Sequence, residues 1–173
     1  IEHSPIQDKL ILLNPQTGKI VQEEVLDSVP RMLGHVENGN ALLEMYSTSS
    51  PFALQHLKIT DQGFSLTPWL KLPNDLQSRM VQCDVQRVSF PTFDSAENSN
   101  EKRSLHAYLY TPKNMTNANE HLVRIKSFYG GDNAFSVDTQ IFCEAGIVTF
   151  SPAVRGSWGF GTAFYRLNDG DLG

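Results

Sequence analysis

The chain has 173 residues, 40% of them hydrophobic and 19% charged, with a net charge of -5 and a pI near 5.5. That length is enough for one domain or two small ones with a real core, and the composition is that of a soluble globular protein rather than a disordered one. An acidic balance with no basic run interleaved with aromatics argues against a nucleic-acid partner, and no apolar run approaches the roughly 20 residues of a bilayer-spanning helix.

Residues 1–84 read as short strands joined by polar turns. Leu10-Ile11-Leu12-Leu13 closes on Asn14-Pro15-Gln16-Thr17-Gly18, and Lys19-Ile20-Val21-Gln22 completes a hairpin pattern. Val36-Glu37-Asn38-Gly39-Asn40 is a second turn signal, leading into a strand over residues 41–46. Residues 47–51 break that strand, residues 53–59 alternate as the next, and Asp61-Gln62-Gly63 turns into a last one over 64–72. The spacing predicts a meander, as in a sandwich, barrel or propeller, with no repeat sharp enough to name a propeller class.

The character changes after Pro73-Asn74-Asp75. Residues 85–93 and 105–110 are predicted strands separated by a polar loop over 94–103, and a second polar loop runs from Asn114 to Glu120. Asn114-Met115-Thr116 matches a glycosylation acceptor, a triplet common by chance. Then come a strand over 122–128, a glycine turn, a helical stretch over 134–145, a strand over 147–150 and a second glycine turn. This is the grammar of an α/β sheet, in which chemistry collects on loops past the carboxyl ends of the strands.

Cys83 and Cys143 are too few for a disulfide framework and match no zinc spacing, so both are expected as buried free thiols, with a lean to the cytoplasm. No metal or cofactor is expected. The chain starts at Ile1 without an initiator Met or a signal-peptide core and stops just past an unfinished helical pattern. It is expected to be an internal piece of a longer polypeptide.

Two loops are candidates for chemistry. Tyr129-Gly130-Gly131 lets the backbone turn where no Cβ would fit. It is either a plain turn or a loop whose phenol and amides donate hydrogen bonds to a developing oxyanion. Arg155-Gly156-Ser157-Trp158-Gly159-Phe160-Gly161 lacks the spacing of a dinucleotide loop, since position 164 is Phe, and has no Lys-Ser/Thr pair for a phosphate loop. It is not a nucleophile elbow either, because Arg155 stands where glycine is needed, so Ser157 is expected to be structural. His3, His35, His56, His106 and His121 show no partner pattern and are expected at the surface or in caps; Asp169 and Asp171 suit cap or turn roles.

In this order, Phe128-Tyr129-Gly130-Gly131, Ala145-Gly146-Ile147-Val148, Val154-Arg155-Gly156-Ser157 and Phe160-Gly161 resemble the prolyl oligopeptidase family of serine peptidases. The resemblance covers about residues 40–173 and is most specific over 122–161. It extends to Ser49-Ser50-Pro51-Phe52, similar to the family's last propeller blade, and to residues 85–112, similar to the first strands of its hydrolase domain. The resemblance implies an α/β fold with a β-rich N-terminal part: residues 1–84 as the terminal part of a β-propeller and 85–173 as the incomplete N-terminal portion of an α/β-hydrolase domain. It implies peptide-bond hydrolysis by a Ser-Asp-His triad lying beyond residue 173, with Tyr129 as oxyanion donor and Gly130, Gly131, Arg155, Gly156 and Gly161 shaping the loops beside it.

Three departures stand out. The nucleophile, Asp and His of the triad are not in this stretch. Asp132 stands where relatives often have Pro or Phe, and the 94–103 loop is longer than the family's short turn. The expected partners are a peptide substrate and the remainder of the parent polypeptide, against which an incomplete sheet docks unless it self-associates; no nucleic acid and no membrane segment are expected. The alternatives are a non-catalytic β-rich binding module and an esterase or acyl-transfer relative of the same fold.

Overall fold

The computed structural model describes residues 1, 8–95, 102–115, 121–127, 134–157 and 161–170. The chain divides into two compact units, the first built on Ile1–Val81 and the second beginning at Gln82. Among the described residues no helix is long and apolar enough to cross a membrane.

In the first unit, β1 (Asp8–Leu13) and β2 (Ile20–Leu26) form an antiparallel hairpin. Its turn is the predicted one. The Asn14 side-chain oxygen accepts from the backbone N–H of Gln16 at 2.9 Å and of Thr17 at 3.1 Å, an Asx turn that fixes the reversal. A four-stranded antiparallel meander follows: β3 (Val29–Glu37), β4 (Asn40–Ser47), β5 (Ser50–Thr60) and β6 (Gly63–Lys71), paired in that order. Asn38 and Gly39 link β3 to β4 with φ of 50° and 75°, the pair of positive angles that an Asn-Gly hairpin turn requires. Strict alternation along β4 buries Ala41, Leu43 and Met45, which join Leu57 of β5 and Leu10 of β1 in one core. The Gln22 amide ties β2 to β6. It accepts from the Phe64 N–H at 2.6 Å and donates to the Phe64 carbonyl at 3.2 Å, replacing a strand partner at that edge.

Strand β3 was not legible in the sequence, because Pro30 and Gly34 interrupt it. The sheet order explains the tolerance. β3 is an edge strand, where a proline need not donate to a second neighbour, and the register shifts between Leu33 and Glu37, around Gly34. A short helix, α1 (Asn74–Met80), follows β6 and was also unforeseen.

In the second unit, β7 (Cys83–Ser95) and β8 (Lys102–Pro112) form a long antiparallel hairpin, still paired at Ser95 and Lys102. Both strands therefore run past the predicted limits into the 94–103 stretch. Strand β9 (Val123–Ile125), helix α2 (Val137–Glu144) and strand β10 (Val148–Pro152) complete the sheet in the order β7-β8-β10-β9. β10 is antiparallel to β8 and parallel to β9. The strand-helix-strand series is thus as predicted, with β9 and the helix shorter than the sequence patterns suggested and β10 running two residues further, to Pro152.

The cysteines correct an expectation. Cys83 and Cys143 are not free thiols but a disulfide joining the start of β7 to the last turn of α2, with Cα atoms 5.5 Å apart. The lean to the cytoplasm rested on unpaired thiols and loses that ground. Both residues sit in the core of this unit with Tyr108, Tyr110 and Val85. Beside them the buried Gln140 side-chain oxygen accepts from the N–H groups of Gln82 at 2.7 Å and Cys83 at 3.0 Å, satisfying two donors at the strand start.

Candidate functional site

Because β9 and β10 run parallel, with Val148 opposite Val123 and Phe150 opposite Ile125, their carboxyl ends lie at the same edge of the sheet. Ser127 and Ala153, the described residues just ahead of the two segments singled out in the sequence, lie at that edge. Tyr129, Gly130, Gly131 and Asp132 lie outside the described residues; Arg155, Gly156 and Gly161 lie within them.

The end of β9 is held from several directions. Lys126 donates its N–H to the Phe150 carbonyl at 2.9 Å, and its own carbonyl accepts from the buried Ser151 hydroxyl at 2.7 Å. Its ammonium reaches both oxygens of Asp138 at 2.8 and 3.0 Å, and Arg124 donates to the same carboxylate at 2.8 Å. Asp138 is in the first turn of α2, where the helix dipole favours an anion. The Arg124 guanidinium also stacks over the Phe142 ring at 4.1 Å, one helical turn further along. On β9 itself Val123 and Ile125 stay 62% and 72% exposed, so this short strand presents apolar side chains that the described residues do not cover.

Beyond β10 the chain turns tightly. Ser157 is fully buried and its hydroxyl donates to the Val154 carbonyl at 2.6 Å, which makes it a turn-forming residue as expected and not a nucleophile. Gly156 has φ of +82°, and a Cβ there would collide with the Asn168 side chain. Asn168, at the end of the 3-10 helix Arg166–Asn168, donates to the Arg155 carbonyl at 2.8 Å and so braces the turn. Gly156→Ala is expected to destabilise the fold by about 1–3 kcal/mol from backbone strain alone, read as a lower thermal midpoint; an unchanged midpoint would mean that the turn relaxes freely. Gly161 precedes the short helix α3 (Thr162–Tyr165), and its carbonyl accepts the Tyr165 N–H at 3.0 Å.

Among the described residues the histidines do not converge. His3 and the side chain of His35 are outside the described residues. His121 Nδ1 is 3.3 Å from the Gly146 carbonyl, and His56 lines an open cavity of about 450 Å³ on the first unit with Leu42, Glu37 and Trp69. His106, on β8, has its pKa lowered below the ordinary 6.5, first by burial and then by the charge of Arg87. The unfolded chain therefore takes up a proton near pH 6.5 that the folded chain refuses. Stability is expected to fall as pH drops through that value and to level off below the folded pKa. His106→Gln should flatten this part of the pH profile; a profile identical to the parent's would remove His106 as its source. Among the described residues no three metal-ligating side chains gather.

Sequence reading missed Asp138, Lys126, Arg124, Ser151 and Asn168. One signal was available for the first three. Two cations two residues apart on a short apolar strand share a face, and the next acid in the chain outside the glycine turn is Asp138, at a helix start.

No protein-family model matches the sequence, and no curated protein matches it. Solved structures do. A prolyl endopeptidase structure, from work on two such enzymes and their inter-domain dynamics, superposes on 96% of this chain with a TM-score of 0.71 and 14% identity. The fold is that of a prolyl endopeptidase segment. Prolyl oligopeptidase B from Galerina marginata, bound to a 35mer hydrolysis and macrocyclization substrate, matches 95% of this chain with a TM-score of 0.67 and 16% identity. A putative dipeptidyl aminopeptidase IV from Bacteroides ovatus matches 90%, again with a TM-score of 0.67, at 19% identity. The chain spans only 24%, 23% and 22% of these three proteins, so the prolyl endopeptidase fold is present here as less than a quarter of its usual length.

Proposed function

We propose that the chain is part of a serine peptidase of the prolyl oligopeptidase family. In this reading residues 1–84 are the terminal part of its β-propeller, and β3–β6 form a blade. Residues 85–173 are the N-terminal portion of its α/β-hydrolase domain, and the rest of the polypeptide follows Gly173. The observation that carries the reading is the insertion of β10 between β8 and β9, parallel to β9. It makes a point in the sheet where strand order reverses, and open α/β sheets bind ligands in the crevice outside the carboxyl ends of strands at such points. The described chain reaches that edge at Ser127, two residues before Tyr129 in sequence, and again at Ala153, two residues before Arg155. β9 ends the described sheet, so its outer edge suits a further strand added beyond it, the place for the segment bearing the nucleophile.

The reaction is acyl transfer to water at a peptide bond. A serine beyond residue 173, deprotonated by a histidine that an aspartate orients, attacks the scissile carbonyl and puts a negative charge on its oxygen. Tyr129 donates its phenolic hydrogen to that oxygen, stabilising a charge that exists only as the tetrahedral species forms. Gly130, Gly131, Arg155, Gly156 and Gly161 are the residues assigned to shaping the loops beside that phenol. The test uses the intact parent polypeptide. A serine-directed fluorophosphonate should label one residue beyond position 173 and abolish cleavage of proline-containing peptide anilides. Cleavage of short esters with no action on peptides would favour the esterase relative, and no labelling would favour a binding module.

A further inference from the structure

We infer that Asp138 is a positioning residue that clamps the tip of β9, and with it the segment carrying Tyr129; the link to catalysis rests on the function proposed above. β9 is only three residues long, and among the described residues it pairs with one strand, β10; a second neighbour in the parent could extend the ladder over no more than those three residues. So short a ladder does not fix the direction in which its end points. Lys126, the first residue past the strand, supplies that constraint. Its N–H is held by the Phe150 carbonyl, its carbonyl by the Ser151 hydroxyl and its ammonium by Asp138. Asp138 also receives Arg124, so one carboxylate fixes two residues of the strand tip at once. The Asp138 side chain is 47% exposed and those of Arg124 and Lys126 are 27% and 36% exposed, and ion pairs so open to water add little to global stability. Their effect is geometric. They couple the start of α2 to the strand end upstream of Tyr129, and a shift of about 1 Å in a catalytic group costs on the order of a hundredfold in rate.

The clamp is therefore separable from the fold. In the intact parent enzyme, Asp138→Asn should leave the melting temperature nearly unchanged while amide hydrogen exchange across residues 122–133 becomes faster. Raised salt should speed that exchange in the parent and not in the variant, because the contact is ionic. With peptide substrate, kcat should fall about tenfold at a KM within roughly twofold of the parent's, and Asp138→Glu should recover most of it. Ser151→Ala, which removes a different tie on Lys126, should speed the same amides. Unchanged exchange in Asp138→Asn overturns the clamp, and faster exchange with an unchanged kcat overturns its role in positioning. Exchange reads the backbone and not the chemistry. If Tyr129→Phe proves catalytically silent, the oxyanion reading fails on its own and the exchange result still decides the clamp.

Discussion

Tyr129→Phe in the parent enzyme is expected to lower kcat by about 10²–10³-fold, the usual loss for one oxyanion donor and equal to roughly 2.7–4 kcal/mol. The substitution removes a single oxygen and keeps the ring, so the crevice retains its shape and the substrate its apolar contacts. KM should consequently stay close to its original value. The ground-state carbonyl carries little charge and gains little from the phenol; the tetrahedral species carries a full one and gains the whole hydrogen bond. A loss confined to kcat is the mark of an interaction made only in the transition state. Steady-state kinetics on a proline-containing peptide anilide, with both constants determined, checks this. A rise in KM at constant kcat would assign the phenol to substrate binding, and no change in either would take Tyr129 out of the mechanism.

What the sequence displayed and what it hid follow from the range of the forces involved. Alternation along residues 41–46 and the Asn38-Gly39 turn are local signals, and the meander they imply is present. The strand-helix-strand order over residues 122–150 was likewise visible, because the hydrophobic runs that mark it are local. β3 escaped notice because the tolerance of Pro30 depends on its being at a sheet edge, which is a property of the whole sheet. The Asp138 clamp needed α2 to be laid against β9 before one carboxylate could meet two cations. The disulfide escaped for the same reason. Its cysteines are 60 residues apart, and only the sheet brings β7 and α2 together. Of the groups around the candidate site, the ion pairs and hydrogen bonds that hold the end of β9 were not legible, because each joins residues far apart in sequence.

Removing that disulfide is expected to have the largest effect on stability of any change to the second unit. Replacing Cys83 and Cys143 together by Ala opens a loop closed across 60 residues of sequence, and a loop of that length is worth about 4 kcal/mol in the chain-entropy account. Domains are stable by only about 5–15 kcal/mol in total, so this is a substantial share. The location adds to the consequence. Cys83 opens β7 and Cys143 sits in the last turn of α2, so the bond fixes the carboxyl-terminal end of the helix while Asp138 and its cations fix the other. Gln140, between the two, accepts from the N–H of Cys83 and depends on the same alignment. The double variant should therefore show a lower denaturant midpoint, and with the staple gone α2 should exchange its amides sooner than β7 and β8, whose hairpin is paired continuously from Cys83 to Pro91. In the native protein both sulfurs should resist alkylation until a reductant is added. Two thiols that label readily without reductant, or a double variant as stable as its parent, would show that packing and the polar contacts of Asp138 and Gln140 hold the helix to the sheet without the bond.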